Sequence, residues 1–365
     1  MTVDLFTPIR LGSLALTSRI VMAPLTRNRA GQPGNVPQPI NVTYYAQRAS
    51  AGLIISEASP ISEMAHGHLD TPGIHSAAQV AGWQRVTDAV HARGGRILLQ
   101  LWHVGRISHP SLLPRGALPV APSAIRPAGK AFTRQGLKDF VTPRALETDE
   151  IPALIEEFRV AARHARTAGF DGVEVHGANG FLLDQFLRDG SNHRTDQYGG
   201  SIANRARLLE EVVAAVCGVW GADRVGVRIS PVNQYNDMRD SNPQALFNHV
   251  AETLRPLGLA YLHVVERDAT GAVLPFDFIE LRRRFDGPYM ANGGYDKQRA
   301  NAAIADGRAD CVAFGKAYIA NPDLVARYAQ DAPLSVADPS TFYTGHERGY
   351  TDYPALVGDP AAPRG

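Results

Sequence analysis

The sequence predicts an α/β fold, a single (β/α)8 TIM barrel spanning residues 1–365, and three observations predict it. Short, nearly continuous apolar runs recur along the chain, the pattern of parallel strands buried on both faces. Stretches with helical spacing of apolar residues separate them. The length of 365 residues is too great for one small core and suits one large barrel carrying insertions.

The elements follow in order. Residues 5–18, within an N-terminal segment 1–18, alternate loosely around the Gly12-Ser13 turn signal and predict a β-hairpin closing the barrel bottom. Eight strands are predicted at 20–23, 53–56, 97–101, 172–175, 225–229, 261–265, 289–292 and 311–314. Between them, residues 80–95 place Trp83, Val86, Ala89 and Val90 on one helical face and end in Gly94-Gly95, a stop signal. Residues 147–170 open with Thr148 and Asp149 and an acidic first turn, which favours helix initiation. Residues 202–221 and 321–331 read as helices by the same logic. The long gap at 104–148 contains Pro110, Pro114, Pro119, Pro122, Pro127 and Pro143, so no long helix fits there. It is predicted as an insertion over the barrel mouth.

Charge is nearly balanced, with 37 basic and 36 acidic residues. That argues against a dedicated nucleic-acid or membrane-surface protein. Cys217 and Cys311 match neither a metal nor a disulfide pattern, and two cysteines are too few for an iron–sulfur cluster. The N-terminus lacks a basic start followed by a long apolar run, so neither signal peptide nor membrane span is expected, and the expected location is cytoplasmic.

Barrel chemistry collects at the C-terminal ends of the strands. Read in turn, those ends carry Pro24, Leu25 and Thr26; Glu57 and Ala58; Gln100, Trp102 and His103; His176, Asn179 and Phe181; Arg228 and Ser230; Asn292, Gly293 and Gly294; and Gly315 and Lys316. His176 and Asn179, expected just past the fourth strand, suit a clamp for one polar atom of a ligand. Gly293-Gly294 and Gly315-Lys316 follow the seventh and eighth strands, the usual phosphate position of this architecture. Glycines let backbone N–H groups approach an anion, and a following helix N-terminus adds its dipole. Thr26, Gln100, His176, Asn179 and Arg228 could read the edge of a flat heterocycle. Spacing alone gives a phosphate-bearing cofactor in a barrel mouth and does not single out a flavin.

Six motifs carry a more specific resemblance: VMAPLTRNRA (21–30), LLQLWHVGR (98–106), HGANGFLLDQFL (176–187), RTDQYGGSIANRARLLEEVV (194–213), VAFGKAYIANPDL (312–324) and GYTDYPAL (349–356). In this order and spacing the chain resembles the Old Yellow Enzyme family of FMN-dependent ene-reductases, in the bacterial branch with morphinone, pentaerythritol tetranitrate and glycerol trinitrate reductases. The resemblance implies a non-covalent FMN reduced by NADPH or NADH, a small electrophilic substrate, and a monomer or homodimer of the NADPH dehydrogenase type. It implies that Thr26 bonds the flavin O4 and that Gln100 and Arg228 hold the pyrimidine edge. Pro24, Leu25 and Ala58 would line the ring, and Gly293, Gly294, Gly315 and Lys316 would hold the phosphate. Relatives often carry arginine at Lys316, and a lysine loses the planar fork. His176 and Asn179 would grip the substrate's carbonyl or nitro oxygen, while His68, Trp102, Asn236 and Tyr343 would shape the pocket. His68 stands where relatives often carry tyrosine.

One departure bears on mechanism. The family tyrosine that protonates the substrate's α-carbon is here Phe181, which has no O–H. Alkene reduction would then be slowed or use water, whereas release of nitrite from a nitrate ester needs no such proton.

Several residues have plainer readings. Arg194, Thr195, Asp196, Tyr198 and Arg205 are expected to pin a loop, and His103 and Arg106 to brace the barrel rim. His66 and His68 form an H-x-H pair with no evident third ligand, so no metal is expected. Two other function classes are distinguishable: a metal-dependent hydrolase would contain zinc and be colourless, and a flavin carrier would be yellow without NAD(P)H-driven bleaching.

Overall fold

The structure, a computed structural model, describes residues 3–269 and 274–356. The ends of the predicted domain, residues 1–2 and 357–365, lie outside the described residues. The N-terminal hairpin is β1 (Ile9–Leu11) paired with β2 (Leu14–Leu16). The barrel is closed and parallel, made of β3 (Ile20–Met22), β4 (Leu53–Pro60), β5 (Ile97–Trp102), β10 (Gly172–Gly177), β11 (Val225–Ile229), β12 (Tyr261–Val265), β13 (Tyr289–Asn292) and β14 (Cys311–Phe314), which returns to pair with β3. The helices are α1 (Pro39–Ala46), α2 (Ala77–His91), α3 (Ile151–Thr167), α4 (Leu182–Leu187), α5 (Ile202–Trp220), α6 (Pro243–Leu254), α7 (Phe278–Phe285), α8 (Lys297–Ala305), α9 (Lys316–Ala320) and α10 (Leu324–Ala329).

The hairpin plugs the bottom of the barrel. Leu11, Leu14 and Leu16 pack against Leu53, Leu98 and Met290 at the strand starts, and Ser13 N–H donates to the Asp223 carbonyl just before β11. Burying such side chains is worth roughly 1.5–3 kcal/mol each. The predicted insertion holds β6 (Val120–Ala121), β7 (Lys130–Thr133), β8 (Gly136–Asp139) and β9 (Arg144–Ala145), arranged as two small two-stranded sheets. It contains no α-helix, as its prolines require.

The second to fourth barrel strands, β4, β5 and β10, differ from the prediction in one respect that matters for the site. His176 was expected past the end of its strand, yet β10 continues to Gly177, so His176 is held inside a hydrogen-bonded ladder. Glu57 and Ala58 likewise lie within β4, and Trp102 joins Gln100 within β5. A register shift between Ile55 and Ala58 extends β4; such a bulge re-aims the side chains that follow it. Helix α3 also begins later than its Thr148-Asp149 signal, which forms a 3-10 turn, Thr148–Glu150, ahead of Ile151.

Candidate functional site

The parallel register sets Gln100 beside Glu174, and His176, Arg228 and His263 side by side on β10, β11 and β12. Strand residues two apart share a face, so Glu174 and His176 project the same way. Glu174 is fully buried. Its Oε1 accepts from Gln100 Nε2 at 2.7 Å, and its Oε2 meets His263 Nδ1 at 2.8 Å and the Tyr261 hydroxyl at 3.1 Å. Gly226 makes room for that tyrosine, because a Cβ there would lie 2.2 Å from the Tyr261 ring. Burial acts to raise the Glu174 pKa, but His263, Arg228 and the Gln100 hydrogen bond together carry it below the usual value. Burial also lowers His263. The network is therefore an ionised Glu174 beside a neutral His263, with the Arg228 guanidinium as the compensating charge.

Arg228 donates from Nη2 to Asn292 Oδ1 at 3.1 Å, and Asn292 donates onward to the Ala313 carbonyl at 2.7 Å. The buried Nε of Arg228 has no partner among the described residues, nor have Trp102 Nε1, His68 Nδ1 and His263 Nε2. Orphaned buried polar groups are costly, and a polar ligand in the barrel mouth would satisfy them.

His176 is buried, and its Nδ1 accepts a hydrogen bond from Ala178 N–H at 3.3 Å. That contact places the ring proton on Nε2. Burial, then Arg228 and His263, hold its pKa well below the usual histidine value, so the ring is a neutral donor near pH 7. Asn179 sits at φ 58°, a left-handed conformation asparagine tolerates. Three neighbours fix it: its N–H donates to Ser230 Oγ at 2.7 Å, its carbonyl accepts from Asn236 Nδ2 at 2.8 Å, and its Oδ1 accepts from Asn233 Nδ2 at 2.9 Å. The last bond leaves the Asn179 NH2 group as the available donor. The clamp therefore offers two neutral N–H donors.

Aromatic rings wall the clamp. Phe181 stands edge-on to Trp102 at 4.8 Å and to His176 at 5.1 Å, and His68 lies 5.1 Å from Trp102. Ala58 joins Trp102 and Phe181 in the same apolar cluster. Burial pushes the His68 pKa down to about 4. Outside this wall opens a cleft of 620 Å³, to which His68, Asn236 and Tyr343 contribute, roofed by Ala131, Phe132 and Phe140 of the insertion.

A second cleft, of 630 Å³, gathers Pro24, Leu25, Arg228, Gly293, Gly294, Gly315 and Lys316. Gly293 and Gly294 have φ of 122° and 73°, which glycine alone adopts freely. Lys316 is exposed and α9, which it starts, is only five residues long, while the Asp296 carboxylate caps α8. The dipole expected from a helix start is thus already taken at α8, and the glycine backbone and cations dominate. Thr26 falls between Leu25 of this cleft and Asn28 of the other, and its hydroxyl has no hydrogen-bond partner among the described residues. Exposed glycine backbone, a cation and unpaired interior donors fit a phosphate-bearing heterocycle.

The segment after Thr26 clasps the chain's end. Arg27 donates to the carbonyls of Phe342 and Gly349 at 3.0 and 2.7 Å. Arg29 donates to those of Thr341, Phe342, Thr344 and His346. Tyr350 stacks on Tyr44 with centroids 3.9 Å apart, and the Arg29 guanidinium lies 4.6 Å from the Tyr350 centroid. This clasp holds Tyr343 at the mouth. Below it, Glu57 is buried and pushed up to about 7 by burial.

Arg194 pairs with Asp196 and Arg205 with Asp240, pinning the loop. Arg106 ties the Ile125 and Asp237 carbonyls to the rim. His66 meets His75 and Asn35, and no group of three potential metal-ligating side chains occurs among the described residues. Sequence reasoning missed Glu174, Asn233, His263 and Arg267, which also lines the second cleft. Glu174 had a signal: a carboxylate two residues before His176 inside an apolar strand. Asn233 had none, since its role depends on a contact between two loops. No described helix is long and apolar enough to cross a membrane.

Residues 4–335 match the NADH:flavin oxidoreductase / NADH oxidase family. Among solved structures, the chain is similar to morphinone reductase in complex with tetrahydroNAD, with 52% identity, TM-score 0.93 and 98% of each chain covered. It is similar to an old yellow enzyme homologue from Zymomonas mobilis, with 45% identity, TM-score 0.94 and 97% and 100% covered. Among curated sequences, 12-oxophytodienoate reductase 2 of Arabidopsis thaliana is 44% identical over 97% of this chain and 96% of its own length.

Proposed function

The chain belongs to the NADH:flavin oxidoreductase / NADH oxidase family, the Old Yellow Enzyme family, and we propose that it reduces small electrophilic alkenes held by His176 and Asn179. At the coarser level it is an FMN-dependent oxidoreductase that draws on a reduced nicotinamide. The relatives named for 12-oxophytodienoate and morphinone reduction support the finer reading.

The observation that carries the proposal is the pair of neutral donors, His176 Nε2–H and the Asn179 NH2, whose orientations Ala178 and Asn233 set. Two such donors on a carbonyl or nitro oxygen draw electron density from the conjugated alkene and stabilise the charge that develops on that oxygen. A non-covalently bound FMN would bring hydride-transfer chemistry to this site, with NADPH or NADH as the reductant. Pro24, Leu25, Thr26, Ala58, Gln100 and Arg228 would hold its ring, and Gly293, Gly294, Gly315 and Lys316 its phosphate. Arg228, a buried cation lining the second cleft, would offset negative charge on a reduced flavin held there. His68, Trp102, Asn236 and Tyr343 would shape the substrate's surroundings and exclude water. The β-carbon takes the hydride; with Phe181 at the proton-donor position, the α-carbon takes its proton from water. The working unit is one domain, cytoplasmic, as a monomer or homodimer.

A second reading rests on Phe181. Hydride reduction of a nitrate ester to alcohol and nitrite requires no carbon protonation, so that reaction loses nothing by the missing hydroxyl.

An anaerobic experiment tests both. The yellow protein is bleached with one equivalent of NADPH, and reoxidation by 2-cyclohexenone and by glycerol trinitrate is followed separately. Reoxidation by the enone with formation of cyclohexanone supports the proposal. Reoxidation by the nitrate ester alone transfers the function to the second reading, and no bleaching by NADPH or NADH opposes both.

A further inference from the structure

We propose that Arg267 supplies the guanidinium that holds the phosphate of the bound flavin, in place of an arginine at position 316; the inference rests on the flavin reading above. Arg267 follows β12 and lines the second cleft together with Gly293, Gly294, Gly315 and Lys316. Its side chain lies directly over Gly294: a Cβ there would be 2.7 Å from Arg267 Nη1, and one at Gly293 would be 3.1 Å from the Arg267 amide. The glycine pair therefore does two things. It exposes backbone N–H groups, and it leaves space for this guanidinium.

Among the described residues the guanidinium makes no hydrogen bond or ion pair. Its flanking carboxylates are engaged elsewhere. Glu266 accepts from the hydroxyls of Tyr289 and Tyr295 at 2.7 and 2.5 Å, and Asp268 accepts from Gln234 N–H at 2.8 Å. Other cations nearby are committed as well. Arg299 donates to the Gly294 carbonyl and lies 5.1 Å from the Tyr295 ring centroid, Arg308 pairs with Asp306, and Lys297 pairs with Asp331.

Lys316 brings a point charge, whereas a phosphate monoester is best met by the planar two-pronged donor of arginine. Arg267 restores that fork from a different strand end. The ligand chemistry is a terminal phosphate monoester dianion, which FMN carries and riboflavin lacks.

The test uses the flavin-loaded protein. Equilibrium dialysis gives the dissociation constant for FMN, and exchange into riboflavin gives the second constant, for wild type, Arg267→Gln and Lys316→Gln. Losing a charge-assisted bidentate contact weakens FMN binding by about 10- to 100-fold. The expected result is that loss in Arg267→Gln, a smaller one in Lys316→Gln, and an unchanged riboflavin constant. The riboflavin constant also reports that the variant is folded. An FMN constant within about twofold of wild type in Arg267→Gln, or an equal loss for both flavins, overturns the assignment of Arg267 and leaves the flavin reading standing. A wild-type protein that binds neither flavin overturns both.

Discussion

Asn233 donates from Nδ2 to Oδ1 of Asn179 at 2.9 Å, and this bond decides which end of the Asn179 amide is offered to a ligand. Asn233→Ala removes the restraint, and Asn233→Asp replaces the donor with an acceptor that attracts the Asn179 NH2 away from the substrate. An orienting hydrogen bond is worth about 0.5–1.5 kcal/mol, so kcat/KM for 2-cyclohexenone should fall about 3- to 10-fold in the alanine variant. The aspartate variant should fall further. Equal steady-state losses in the two variants would count against this orienting role.

Phe181 packs edge-on to His176 at 5.1 Å, close enough for a hydroxyl on that ring to serve a substrate held by the clamp. Phe181→Tyr should accelerate reoxidation of the reduced protein by an enone, within the roughly 10²–10⁴-fold range of general acid catalysis. Bleaching by NADPH should stay nearly the same, because that half-reaction protonates no carbon. Stopped-flow measurement of each half-reaction separates them, and identical enone rates in both proteins would contradict the idea.

Glu174 is the acceptor for Gln100, Tyr261 and His263 and the counter-charge of Arg228. Glu174→Gln leaves a buried guanidinium uncompensated. Removing one partner of a buried pair costs about 3–5 kcal/mol, which urea unfolding of the variant should register. A loss below about 1 kcal/mol would mean that the carboxylate is not ionised inside the barrel.

Acid should destabilise the fold through its buried rings. Burial pushes His66 and His103 down to about 3 and His68 to about 4, and holds His176 well below 6.5. Above pH 6.5 these rings are neutral in both states and their contribution is complete. Below it the unfolded chain takes up protons that the native state refuses, so each ring costs up to about 1.4 kcal/mol per pH unit until its native value is reached. Glu57, raised to about 7 by burial, works oppositely, its contribution being lost as pH rises from 4.5 to 7. Glu157 and Glu266 are raised by burial as well, and His75, His109 and His263 are lowered alongside those four rings, so three carboxylates against seven rings leave a net loss on acidification. The urea midpoint should fall steadily from pH 6.5 to 4.5, and a flat profile would show that the rings are protonated in the native state.

The barrel itself was legible because β11 to β14 are short apolar runs bounded by polar or glycine-containing segments, and their predicted limits match the structure. Helices α1, α6, α7 and α8 went unread although Pro39, Asn242-Pro243, Asp277 and Asp296 mark their starts. Helices α1, α7 and α8 run only eight or nine residues, too short for a periodic pattern to stand out, whereas α6 carries a buried face of Leu246, Phe247, Val250, Ala251 and Leu254 that periodicity could have shown. The extensions of β4 and β10 were hidden because Glu57, Ser59 and His176 interrupt the apolar run, and their burial depends on partners from other strands. The same limit explains Asn233 and Arg267. Each matters through a residue 54 or 27 positions away, Asn179 and Gly294 respectively, and no local pattern encodes that meeting.

The clasp of Arg27 and Arg29 on residues 341–349 also sets an order of assembly during synthesis. Strand β14 ends at Phe314, so a nascent chain can close its barrel before the segment carrying Tyr343 has left the ribosome. The two arginines then wait, with their guanidinium groups in water, for carbonyls more than 300 positions downstream. Once β14 has paired with β3, the clasp closes only the segment that follows Phe314, and so short a loop adds little entropy. The mouth is therefore completed last, and a barrel halted before residue 341 would be closed below and unfinished above.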